Sequence, residues 1–169
     1  MPVAEAIPAV DLLQSLRDVG VTDVVAVPDT HQRSLIALLE RDEGIRLIQA
    51  ATEDEAVALA AGLIVGGRKP AVQIQHAGLY ACVNHLRGIA GDGRFPMVFL
   101  IGLLGRDPYR MPSEHAGSMV RLAEPLLDTM QVPHWLLDRP GDLGMVAEAF
   151  AAAEERQGPT ALLVGVNTA

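Results

Sequence analysis

The sequence predicts an α/β fold: a doubly wound, mostly parallel six-stranded sheet with helices on both faces. Three observations lead there. Six short runs of β-branched and aliphatic residues alternate with stretches of helical periodicity along the 169 residues. Several of those runs are apolar nearly throughout, as strands covered on both faces must be. Half of the residues are hydrophobic but only 4% are aromatic, so Ala, Val, Leu and Ile must fill the space between helices and sheet. A chain of this length can bury enough surface to fold as one domain, 1–169, without staples.

The first helix is expected over 10–19, with Asp11 near its start. VTDVVAVP (21–28) reads as the first strand and is followed by a helix over 34–41. IRLIQA (45–50) is the second strand, and the alanine-rich EDEAVALAAGLIV (53–65) the next helix. PAVQIQ (70–75) leads to a helix over 80–89, PMVFLIG (96–102) to one over 118–130, and PHWLLD (133–138) to one over 141–156. PTALLVGV (159–166) closes the sheet. Four of these strands open with proline, which is tolerated at a strand's first residue. The alternation implies right-handed crossovers between parallel strands. The irregular stretch LLGRDPYRMPSEHAG (103–117) follows the fourth strand, on the edge where open α/β sheets bind ligands.

A formal net charge of −8 argues against nucleic acid or an anionic membrane as the main partner. The single cysteine, Cys82, excludes an internal disulfide and a cysteine metal cage, in keeping with a reducing compartment. The first residues lack the basic-then-apolar pattern of a signal peptide, and no apolar run approaches the ~20 residues that span a bilayer. A cytoplasmic protein is expected. No GxxxxGK[ST], GxGxxG, HExxH or GxSxG pattern occurs, and the five histidines are scattered, so no metal set is expected in this chain.

What remains is a series of polar residues at strand ends: Pro28-Asp29-Thr30-His31, Glu53, Gln75-His76-Ala77-Gly78, and 106–115. In a parallel sheet these ends share one edge. Each has a structural explanation too. Asp29 and Thr30 suit a helix cap, the acidic Glu53, Asp54 and Glu55 suit a helix N-terminus, and His76 suits a hydrogen-bonded loop. Their joint placement favours function.

The segment from Ala51 to Gly102 resembles the pyrimidine-binding domain of thiamine-diphosphate enzymes, and within them the sulfopyruvate decarboxylase α subunit and the matching half of phosphonopyruvate decarboxylase. That family has a glutamate opening an Ala/Gly-rich helix with a glycine nine residues on, as Glu53 and Gly62 do here. Its Val-Pro-Asp-Ser turn is similar to Val27-Pro28-Asp29-Thr30. Its Gln-Asn-Ser-Gly-Leu-Gly-Asn stretch matches Gln75-His76-Ala77-Gly78-Leu79-Tyr80-Ala81, followed by Asn84, and a Gln-His pair matches Glu114-His115.

The resemblance implies that Glu53 hydrogen-bonds a ring nitrogen of the cofactor's aminopyrimidine and favours the imino tautomer, which activates the thiazolium carbon toward a 2-keto acid. A carboxylate shielded by an alanine-rich wall can share a proton in this way. Glu55, two positions on, is the weaker candidate. Pro28, Asp29, Gln75 and Gly78 are expected beside the cofactor. Thr30, His31, His76, Arg106 and His115 are expected around the substrate, with Thr30, His76 and His115 also serving catalysis.

The family holds its diphosphate through Mg²⁺ at a Gly-Asp-Gly…Asn-Asn signature on a separate domain. Gly91-Asp92-Gly93 lacks the following asparagines and reads as a turn. The resemblance therefore implies a diphosphate-binding partner chain in a heteromer, α2β2 or larger, with Mg²⁺ held by the partner. Three departures stand out. Histidine replaces an asparagine at position 76 and tyrosine a glycine at 80. Where the family has Ser-Trp-Arg-Gly-Glu, this chain has Gly102-Leu103-Leu104-Gly105-Arg106, with Arg106 or Arg110 as a substitute anion clamp. The expected activity is 2-keto acid decarboxylation, on sulfopyruvate or phosphonopyruvate. The alternatives are a carboligase subunit, a non-catalytic module that retains the fold, and a stand-alone enzyme using His76 and His115.

Overall fold

The computed structural model describes residues 5–169. In chain order it contains α1 (Ala9–Asp18), β1 (Asp23–Ala26), α2 (Arg33–Leu39), β2 (Arg46–Gln49), α3 (Glu53–Val65), β3 (Pro70–Gln75), α4 (His76–Ala81) and the single turn α5 (Val83–His85). A π-helical turn, Leu86–Asp92, leads to β4 (Val98–Gly102). Then come α6 (Ser118–Arg121), α7 (Ala123–Thr129), β5 (His134–Leu137), α8 (Met145–Arg156) and β6 (Thr160–Val164). All neighbouring strands pair in parallel in the order β2-β1-β3-β4-β6-β5. All six strand expectations and the doubly wound class agree with this sheet.

Alternation along the strands builds two cores. Val24, Leu100 and Leu162 face one side, where Leu12 and Leu16 of α1, Leu35 and Leu39 of α2 and Phe150 of α8 cover them. Val25, Phe99, Ile101 and Leu163 face the other, under Val57 and Ala60 of α3 and Leu127 of α7. The buried residues of α3 are Ala56, Val57, Ala60 and Ala61, so the helix that starts at Glu53 lies close on the sheet.

Three helices depart from expectation, each for a local reason. The helix expected over 80–89 starts earlier, at His76, leaves α geometry at Cys82 (φ −97°, ψ 13°) and continues as the π turn. That turn closes where a β-carbon on Gly93 would strike the Ile89 carbonyl. The helix over 118–130 splits at Leu122, because Pro125 cannot donate to, and would clash with, the carbonyl of Arg121. The start of 141–156 is a 3₁₀ segment, Pro140–Gly144, before α8. The long loop also holds a 3₁₀ turn, Pro112–Glu114.

At the N-terminal edge, Asp23 is fully buried between Arg46 Nε (2.7 Å), Arg68 Nε (2.8 Å) and the Thr22 hydroxyl (2.7 Å). Burial would raise its pKa, but these donors outweigh it and hold the carboxyl below its ordinary value. At the opposite edge Ile7 bridges Thr168 in parallel, its N–H donating to Asn167 O at 3.1 Å, and Ala9 N–H donates to Ala169 O at 2.8 Å. That second edge carries the site.

Candidate active site

Glu53 opens α3 and is half-buried. Its side chain crosses the face of Gly78 in α4: a β-carbon there would collide with Glu53 Cγ and come within 2.6 Å of its Cδ. Among the described residues its carboxylate has no hydrogen-bond or ion-pair partner. Glu55 differs. Its Oε2 accepts from Ala51 N, one residue before the N-cap, at 2.7 Å while the Thr52 hydroxyl accepts from Glu55 N at 3.4 Å, a variant of the capping box that closes the helix start. One acidic residue therefore caps the helix and the other is held out over the sheet edge. Cys82, beneath α4, feels this placement: burial, with the Glu53 charge adding, pushes its thiol up to about 12.

Asp29 follows β1 and is almost fully buried. Its Oδ1 accepts from His31 N at 2.8 Å and from Gln75 Nε2 at 3.4 Å, and its Oδ2 from Gln32 Nε2 at 2.9 Å. The carboxylate lies over Gly102 at the end of β4, where a β-carbon would strike Asp29 Oδ2 and sit 3.1 Å from His31 Cβ. The capping explanation for Asp29 fails, because α2 has no side-chain cap bond. Asp29 instead pins the β1–α2 turn to β3 and β4. Gln32, which the sequence reading passed over, completes the anchor: it is fully buried and also reaches Ile74 O (3.4 Å) and Leu100 O (3.3 Å). Nothing in its sequence context marks it. Pro28 and Thr30 are exposed on the rim, beside Arg33 and Ile36.

The histidines converge only in part. His76, the first residue of α4, is buried, and its Nε2 lies 3.1 Å from Leu104 O. A carbonyl only accepts, so Nε2 carries the proton and Nδ1, which has no partner among the described residues, presents a lone pair. Burial lowers the His76 pKa, and a charge on nearby His115 would lower it further. His31 is also buried, with Nε2 unpartnered; burial lowers its pKa and the Asp29 carboxylate partly opposes that. His115 is half-buried and accepts at Nδ1 from Gly117 N at 3.1 Å, which leaves Nε2 as its protonated nitrogen. Tyr80 reaches across to donate to Met119 O at 2.7 Å, tying α4 to α6.

Arg106 corrects an expectation. Its side chain is 1% exposed and forms a bidentate pair with Asp138, Nη2 lying 2.7 Å from Oδ2. Nη1 also donates to Gly165 O (3.2 Å) and Nη2 to Arg110 O (3.0 Å). It fastens the long loop to the ends of β5 and β6 rather than offering a fork to substrate. Arg110 is exposed and faces Asp107 at 3.4 Å. Gly91-Asp92-Gly93 lies at the other edge, before β4, with Asp92 paired to Arg87 at 2.7 Å. Among the described residues, no three His, Cys, Asp or Glu side chains are grouped to hold a metal.

The family model described as "Thiamine pyrophosphate enzyme, N-terminal TPP binding domain" matches residues 9–118. This chain belongs to that family. It is 27% identical over 122 residues to the sulfopyruvate decarboxylase subunit alpha of Methanocaldococcus jannaschii, covering 72% of this chain and 71% of the relative. Against the same-named subunit of Methanococcus maripaludis identity is 23% over 152 residues, covering 89% and 90%. It is 32% identical over 144 residues to phosphonopyruvate decarboxylase of Streptomyces viridochromogenes, covering 85% of this chain but 36% of that longer protein. The fold superposes on benzoylformate decarboxylase from Polynucleobacter necessarius with a TM-score of 0.74 at 23% identity, covering 94% of this chain and 29% of that one.

The residues at this edge fit the family's cofactor. Glu53 offers an unpaired carboxylate to the sheet edge, and Gly78 keeps clear the space that a β-carbon would fill.

Proposed function

We propose that this chain is the α, pyrimidine-binding subunit of a heteromeric thiamine-diphosphate-dependent 2-keto acid decarboxylase of the cytoplasm. The observation that carries the reading is the free Glu53 carboxylate lodged against Gly78. Glu53 holds and relays a proton at the ring nitrogen of the aminopyrimidine, and Gly78, Gln75, Asp29 and Pro28 shape the surface beside it. The cofactor, when bound, supplies the electron sink that lets the bond to the substrate carboxylate break. His76, through its unpaired Nδ1, and His115 and Thr30 at the rim orient the keto acid and move the proton that replaces carbon dioxide. His31 lines the substrate side. The diphosphate and its Mg²⁺ belong to a partner subunit, in an assembly of α2β2 or larger, since this chain lacks the metal signature of the family. The seat kept for Glu53 speaks against a module that has only retained the fold.

The test is to mix this chain with a diphosphate-domain partner, thiamine diphosphate and Mg²⁺ and to measure carbon dioxide release from a panel of 2-keto acids. Release that needs both chains and falls by about 10²–10⁴-fold with Glu53→Gln supports the reading. Release independent of the partner or of Glu53 rejects it. A complex that releases nothing but joins a keto acid to an aldehyde moves the assignment to a carboligase.

A further inference from the structure

Beside the site, at the ends of β4 and β6, a cavity of about 420 Å³ opens between the long loop and residues 165–167, lined by His31, Leu104, Pro108, Tyr109, Val166 and Asn167 among others. It adjoins the proposed reaction edge through two residues. His31 forms one wall and lies close enough to His76 for their charges to interact. Leu104 forms another, and its carbonyl holds the His76 ring. A volume of this order accommodates a small-molecule side chain.

The charge of the cavity is decided by Arg106, the one cation among the described residues that line it. Both of its terminal nitrogens are spent on Asp138, Gly165 O and Arg110 O. What it has left is one buried N–H, at Nε. The other polar side-chain groups are the neutral His31 ring, the Asn167 amide and the Tyr109 hydroxyl, set among leucine, proline and valine. Single donors of this kind suit one carbonyl or hydroxyl oxygen; a sulfonate or phosphonate needs an unspent fork or ammonium.

We propose that this cavity receives the side chain of the 2-keto acid and selects an uncharged one, aliphatic or aromatic, over a side chain ending in a second strong anion. The proposal rests on the decarboxylase reading above and gives it a substrate class.

The experiment compares kcat/KM of the mixed holo-complex for 2-ketoisovalerate, phenylpyruvate, sulfopyruvate and phosphonopyruvate. The uncharged acids are expected to lead by roughly 10–200-fold, the range one pocket contact can discriminate. Two variants then reverse the charge logic. Asp138→Asn keeps the shape of the partner but removes its charge and one of its two acceptors, leaving one arm of the Arg106 fork and its net positive charge unspent. Asn167→Arg adds a cation at the exposed lip and keeps the backbone bonds. Each should raise the ratio of dianionic to uncharged turnover at least about tenfold, through KM rather than kcat. A wild-type preference for sulfopyruvate or phosphonopyruvate overturns the cavity assignment and leaves the decarboxylase intact, as does a ratio that neither variant moves. Release from no keto acid overturns the decarboxylase reading, and the cavity assignment with it.

Discussion

The side chain of Glu53 occupies the volume that a β-carbon on residue 78 would need. The Glu53 side chain can thus lie in this position only while residue 78 is glycine. Gly78→Ala should leave the fold intact, because α4 tolerates alanine, yet displace the carboxylate by about an ångström. Activity of the mixed complex should fall about 10²-fold with unchanged circular dichroism. Full activity in Gly78→Ala would mean that Glu53 does not work from this position.

The two glutamates at the start of α3 should separate cleanly. Glu55→Ala removes half of the capping box and should cost about 1 kcal/mol or less, a Tm decrease of a few degrees, with turnover kept. Glu53→Gln should keep Tm and lose turnover. Thermal melts and carbon dioxide assays on the same two preparations decide it.

Acid should destabilise the chain through His31 and His76. Burial holds both below the ordinary 6.5, so the unfolded state binds protons that the folded state refuses. Their contribution is whole above about 6.5 and is lost as pH falls from there toward the folded values. Denaturant midpoints measured across that interval should decline, and His76→Gln should flatten the decline. An unchanged slope in the variant would show that His76 titrates normally.

Cys82 should be inert. Its sulfur is fully buried and its pKa is pushed up to about 12, so thiolate is scarce at neutral pH. Ellman's reagent should find no reactive thiol in the native protein and one after denaturation.

Much of this was legible in the sequence. The strands announced themselves because a sheet buried on both faces needs unbroken aliphatic runs, and the alanines and acidic start of α3 define its full extent, Glu53–Val65. The edge that gathers Asp29, Glu53, Gln75 and His76 follows from parallel topology alone. What could not be read was set by distant contacts. The need for glycine at 78 comes from a residue in another helix, and the anchoring of Gln32 comes from carbonyls of β3 and β4. Arg106 looked like a clamp because its partner, Asp138, lies just past the end of β5, which no local pattern links to the loop. The break at Cys82 turns on backbone angles to which periodicity is blind, whereas the break at Leu122 had a readable signal in Pro125.

The pairing of Ile7 with Thr168 carries a consequence for how such chains are joined to others. The His31 carbonyl accepts from Thr168 N at 3.2 Å, so the bridged first and last described segments lie together at the lip of the site. A peptide tether grafted after Ala169 would start beside the edge where the proposed partner domain would dock. Even a short flexible tether would then raise that domain's effective concentration to the millimolar range without reshaping the sheet. Among the relatives the matching region is most of a separate alpha subunit in one and a minor part of a longer polypeptide in another, and a junction at this edge would ask nothing of the core.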